Sequence, residues 1–215
     1  MIKNAKFNTN IGKVHEAITV AYHEAGHVLI ALLFYSEISS AFLQNIDDDV
    51  GGITEFDLFL DFEGNTSPSL RKYLINSYIC INYAGMLAEK INLKKISGAD
   101  IFPKSFKSGC FEDLQEISNI IKKYNLANPG KERAYFKNKM MKTTTALLNH
   151  YWDDVVLIAH ALCKNKITHK DVKKILQKSP NKSFWKEQFK KINYLHKNND
   201  LIDIDKKFFA LRQSA

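Results

Sequence analysis

Three features of the sequence predict a mainly α fold with a small β-sheet or hairpin. Apolar residues recur three and four positions apart over most of the chain. One short region, residues 40 to 62, alternates apolar and polar positions instead. Clusters of Gly, Pro, Asn and Ser punctuate the boundaries between these runs. The 215 residues suffice for one well-buried domain, and 45% hydrophobic with 25% charged residues is an ordinary globular composition that disfavours disordered and fibrous classes.

The first helix is expected from about 14 to 35, on the apolar run around "AYHEAGHVLIALL". "SAFLQNI" and "GGITEFDLFLDF" read as strands, joined across "DDDVGG" as a hairpin or a broader loop. In the second strand Phe56, Leu58, Leu60 and Phe62 alternate with Glu55, Asp57 and Asp61. "NTSPSLRKYL" opens a second helix, with Ser67 as N-cap and Pro68 in its first turn, ending near Asn92. The linker "KKISGADIFPKSFKSG" leads to a third helix over 108 to 124, whose apolar stripe is Leu114, Ile117, Ile121 and Tyr124. "NPG" at 128 to 130 breaks the chain before a fourth helix over 131 to 151. A fifth covers "DDVVLIAHALCKN", and Thr168 with Asp171 resembles a capping box opening a short sixth through Leu176. The expected organisation is an N-terminal extension over 1–13, a main domain over 14–178, and a basic, helical tail over 179–215.

The net charge of +8 comes from lysines interleaved with apolar residues, the pattern of solvated helical faces. No nucleic-acid motif accompanies it, so a nucleic-acid partner is not expected. Cys80, Cys110 and Cys163 are odd in number and form no CxxC pair, which favours free thiols in a reducing compartment. The N-terminus lacks a signal-peptide core, and the most apolar stretch is interrupted by His23, Glu24 and His27. A membrane span needs about 20 nearly uninterrupted apolar residues. A cytoplasmic protein without membrane insertion is therefore expected.

Residues 23 to 27, His-Glu-Ala-Gly-His, form an HExxH sequence. Two histidines four apart share one face of a helix and can reach one metal ion. Zn2+ accepts neutral imidazole at about 2.0–2.1 Å, and a catalytic zinc takes three protein ligands and a water. Glu24, next to the first ligand, suits the role of general base towards that water. With "ITVAY" and "VLIALL" on its flanks the pair would be buried, where unpartnered imidazoles are unfavourable. Gly26, costing about 1 kcal/mol in a helix interior, implies a close neighbour such as another backbone.

The third ligand lies elsewhere. His15 is about 12 Å away along the helix axis, too far to share the ion. His150, His160, His169 and His196 have no motif around them and read as structural or exposed. Asp113, in line with Ile117 and Ile120, and Glu89, in line with Ile81 and Gly85, each place a carboxylate on an inward face. The residues alone leave these two level.

"TVAYHEAGHVLIALL" strongly resembles the zinc-binding helix of the FtsH-type metallopeptidase family, the proteolytic domain of membrane-bound AAA+ proteases. "YAGMLAEKI", "KSGCFEDLQEISNIIKKY" and "ALLNHYWDDVVLIAHALCKNKITHKDVKKIL" are similar to later segments of that family, in the same order, so the resemblance spans about residues 15 to 178. It implies zinc held by His23, His27 and Asp113, Glu24 as catalytic base, and Glu89 as the residue orienting a ligand. It also implies that an edge strand, here Gly52, Ile53, Thr54, Glu55 and Phe56, holds an extended substrate. Met86 stands where the family has arginine, Lys90 where it has a second glutamate, and Cys110 where it has a small residue. Cys110 reads as a buried free thiol rather than a ligand.

The sequence contains no GxxxxGK[ST] loop. The expected activity is therefore ATP-independent zinc-dependent hydrolysis of peptides or unfolded segments, with a separate ATPase or regulatory protein as a candidate partner. The alternative is a catalytically silent metal-binding domain that regulates or binds peptides. The oligomeric state is left open.

Overall fold

The computed structural model describes residues 5–46, 49–57, 67–98 and 108–198. Its described elements are seven helices and a two-stranded antiparallel sheet. Among the described residues no helix is long and apolar enough to cross a membrane.

Helix α1 (Ala5–Leu33) begins well before the expected residue 14. Extending a nucleated helix adds one hydrogen bond per residue fixed, and "AKFNTNIGK" has no proline to stop it, although Asn8, Asn10 and Gly12 are weak helix formers. Strands β1 (Glu37–Ile46) and β2 (Asp49–Asp57) pair from Ile46 opposite Asp49, so most of "DDDVGG" is strand rather than loop. The start of β1 was hidden in the sequence by an irregularity between Ile38 and Ser40, where an extra residue breaks the period of two. The expected alternation at Leu58, Leu60 and Phe62 lies outside the described residues.

Helix α2 (Pro68–Ser97) opens as expected: Ser67 Oγ accepts from Leu70 N at 3.3 Å, and Pro68 occupies the first turn. It runs past Asn92 because no breaker precedes Gly98, whose φ of 70° closes the helix with a bond to Lys94 O. Helix α3 (Ser108–Lys123) buries Cys110, Ile117, Ile120 and Ile121, whereas Leu114 is exposed and stands off the expected stripe. Helices α4 (Lys131–His150) and α5 (Trp152–Leu162) meet at Tyr151. Helix α6 (His169–Leu176) starts on the expected capping box of Thr168 and Asp171.

Helix α1 is the axis of the core. Ala21, Ala25, Val28, Leu29, Ala31 and Leu32 are wholly buried against α2, α5 and the sheet. At Gly26 a Cβ would stand 2.5 Å from Ala84 O and 2.8 Å from Ala88 Cβ, so the close neighbour expected there is the backbone of α2. The sheet lies against α1, and Ala41 exchanges two 2.8 Å main-chain bonds with Ile167, just before α6. Helix α7 (Lys182–Asn198) places Trp185, Phe189 and Ile192 in the same core, while Gln188 Nε2 donates to Leu32 O at 2.8 Å. Trp185 packs beside Tyr151 and Phe189 beside His169. All three cysteines are free, with Cys80 and Cys110 buried and Cys163 exposed.

Candidate metal centre

His23 and His27 face α2 and α3 one turn apart on α1, both buried. Each imidazole is oriented through its Nδ1. His23 Nδ1 donates to Glu89 Oε1 at 2.6 Å, and His27 Nδ1 donates to the main-chain oxygen of Ile81 at 2.8 Å. A carbonyl and a carboxylate only accept, so both neutral rings carry their proton on Nδ1 and present a lone pair at Nε2.

These two lone pairs meet. The Nε2 atoms lie 2.9 Å apart, and Asp113 Oδ2 lies 3.2 Å from the first and 3.3 Å from the second. Asp113 Oδ2 is buried, and its neighbours among the described residues are the two rings. With both rings neutral the three atoms are all acceptors and repel one another, which a ring proton or a metal ion between them relieves. Tetrahedral zinc with ligands at about 2.05 Å would separate them by about 3.3 Å, close to what is seen. Glu24 and Glu89, also buried, add further negative charge beside the trio. The donor set therefore fits a divalent metal.

The titration behaviour of the metal-free cluster has the same origin. Burial opposes protonation of His23, but its contacts with Asp113, Cys110 and Glu89 outweigh burial and raise its pKa well above the histidine value. His27 is raised too, burial being outweighed chiefly by the charge of Asp113. Burial would raise Asp113, yet the two histidines hold it well below the usual carboxylate range.

Space for the trio comes from Gly85. A Cβ there would collide with His23 Nε2 and His27 Nε2. Gly85 sits one turn before Glu89 on α2, so one helix supplies both the room for the rings and the carboxylate that orients one of them.

Glu24 points towards β2. Thr54 Oγ1 donates to Glu24 Oε2 at 2.6 Å, and a Cβ on Gly52 would strike Glu24 Oε1. Alternation along the strand separates the five residues expected at the substrate edge. Gly52 and Thr54 meet Glu24, and Phe56 follows on that face, its ring 6.1 Å from that of Tyr78. Ile53 and Glu55 belong to the other face, where Glu55 accepts from Ser40 Oγ at 2.6 Å.

One side of the β2 main chain faces away from β1 at the same place. Ala41 turns its N–H and C=O towards Ile167, so Thr54, its partner across the sheet, directs its own away from β1, as does Gly52 two residues on. Among the described residues no strand pairs with that edge.

Cys110 lies on the other side of the His23 ring, its Sγ 3.7 Å from Nδ1 and 3.6 Å from Glu89 Oε1. His23, Glu89 and Cys110 form a second group of closely spaced ligand-type atoms. Its Nδ1–Oε1 separation of 2.6 Å is that of a hydrogen bond and is too short for two ligands of one ion. His15, His150, His160, His169 and His196 contribute nothing to either group.

Sequence reasoning found the three converging residues, Glu24 and Glu89. It missed the Ile81 carbonyl, which no side-chain pattern can reveal. It also missed that Thr54 bonds Glu24 directly and that Gly85 makes room for both rings. A glycine inside a buried helix stretch was the available signal for the latter. Comparison with known protein families and with curated proteins gives no match, so the site itself has to define the class of this protein.

Proposed function

We propose that this chain is a zinc metallopeptidase domain of FtsH-like type, hydrolysing peptide bonds in peptides or unfolded segments. The observation that carries the reading is the convergence of His23 Nε2, His27 Nε2 and Asp113 Oδ2 within 2.9–3.3 Å, with Glu24 next to His23 in sequence and close enough for its charge to act on both rings. Zn2+ bound there supplies a Lewis acid that polarises the scissile carbonyl and makes water acidic near neutral pH.

The chain's own residues do the rest. Glu89 and the Ile81 carbonyl keep the imidazole protons on Nδ1, so both rings offer Nε2. Glu24, held at Oε2 by Thr54, takes the proton of the attacking water on Oε1 and returns it to the departing amine. The outward N–H and C=O groups of Gly52 and Thr54 pair with an extended substrate and align it beside Glu24. Such pairing needs an unfolded strand, which makes flexible segments the substrate class and gives a separate ATPase a place as the partner that unfolds clients. The order of motifs resembling the FtsH-type family supports the same reading.

Glu24→Gln tests it. The variant should bind zinc stoichiometrically and cleave a fluorogenic peptide library at least about 100-fold more slowly than wild type. Equal rates for the two would overturn the mechanism. A wild type that binds zinc and cuts nothing would instead assign the chain to silent metal-binding, peptide-recognising domains.

A further inference from the structure

We propose that Cys110 is a positioning residue of the metal centre: its thiol fixes Glu89 and, through Glu89, the orientation of the ligand His23. The inference rests on the metal-centre reading above and adds to it a residue that the HExxH pattern does not contain.

Glu89 Oε1 is shared by two donors. His23 Nδ1 donates to it at 2.6 Å and the Cys110 thiol at 3.6 Å, a normal length for sulfur. Cys110 Sγ also stands 3.7 Å from Nδ1, so thiol, carboxylate and ring edge form one buried triangle. A carboxylate oxygen accepting from two sides is restrained in both rotation and tilt, and it passes that restraint to the imidazole it accepts from.

The position on α3 gives this contact a second consequence. Cys110 lies in the first turn of α3, three residues before Asp113, and so on the same face. The helix that delivers the carboxylate ligand thus also braces the partner of the first histidine. Docking α3 through Cys110 on Glu89 sets Asp113 Oδ2 and His23 Nε2 together, which accounts for a carboxylate from a distant helix meeting both rings within 3.3 Å.

The experiment compares Cys110→Ser, which keeps a donor, with Cys110→Ala and Cys110→Val, which remove it at smaller and larger volume. Zinc affinity is measured by competition with a chelator, cobalt-substituted protein is followed by visible absorption, and thermal unfolding is recorded for the metal-free forms. Cys110→Ala and Cys110→Val should weaken zinc binding about tenfold and shift the cobalt spectrum, while Cys110→Ser stays within about threefold of wild type. In a Glu89→Gln background the loss caused by Cys110→Ala should shrink, because the two residues act as a unit.

Zinc affinities that are equal in all variants overturn the inference. So does equal weakening by Ser and Ala tracking a lowered metal-free melting temperature, which would make the role one of packing alone. A thiolate-to-cobalt charge-transfer band in the wild type that Cys110→Ser removes also overturns it, by making Cys110 a ligand. A wild type that takes up no zinc overturns the metal-centre reading together with this inference, whereas normal wild-type uptake unaffected by Cys110→Ala overturns the inference alone.

Discussion

Thr54 ties a strand to the HExxH helix. Its hydroxyl reaches Glu24 Oε2 at 2.6 Å, and in the proposed mechanism Oε1 is the oxygen left for the attacking water. Thr54→Val keeps shape and strand preference but removes the donor. It should lower kcat about tenfold with zinc content unchanged, as steady-state kinetics beside metal analysis will show. The three converging side chains make a pH prediction. In the metal-free chain His23 and His27 are raised above their unfolded value, so their stabilisation is complete below about pH 6.5 and fades as pH rises through the folded values. Asp113 is lowered, so its contribution is present above about pH 4 and lost below. With chelator present, melting temperature should therefore fall between pH 6 and 9. With zinc present it should rise from pH 6 to 8, because metal displaces the ring protons. A chelated protein that gains stability with rising pH in that window would contradict the charge state described for the trio. At this scale the HExxH residues were legible, since four-residue spacing alone puts two rings on one face. Thr54's bond to Glu24 was not, because it joins two elements whose approach no local pattern encodes.

At the scale of elements, the contact of α1 with α2 decides whether the centre forms at all. Gly26 meets Ala84 and Ala88, and Gly85 meets both histidines, so two glycines on opposing helices bring the axes close where the rings must fit. Gly26→Ala should raise intrinsic helix propensity yet destabilise the fold by about 1–3 kcal/mol, measured by urea unfolding, since the added methyl faces a rigid main-chain oxygen. A stabilised variant would mean that the helices can part without loss. Helix starts at Pro68 and His169 were readable from Ser67 and from the Thr168–Asp171 box, where capping is local chemistry. The early start of α1 and the long end of α2 were not, because propagation continues wherever nothing stops it. Cooperative growth is invisible to a search for signals.

For the whole molecule, the basic C-terminal segment is the feature whose role changes most between sequence and structure. Its lysines suggested a basic, appended helical tail, yet Trp185 on α7 is 1% exposed and Gln188 bonds the end of α1. Trp185→Ala should cost about 3–5 kcal/mol and lower the midpoint of urea unfolding accordingly. An unchanged midpoint would show that α7 is dispensable to the core. Aromatics at positions 185 and 189 share a helix face, but only the surface presented by α1 and α6 makes that face a buried one.

By itself the sequence determined a mainly helical chain with one hairpin, a helix offering two imidazoles and a glutamate to one side, and two distant carboxylates on inward faces. Those follow from periods of 3.6 and 2 and from capping chemistry, which are set within a few residues. The residues alone left Asp113 and Glu89 level and the family resemblance pointed to Asp113; only the tertiary structure places the first at the Nε2 atoms and the second at Nδ1 of His23. That choice depends on which edge of a ring each helix approaches, and helix approach is set by packing between segments some 60 to 90 residues apart in the chain.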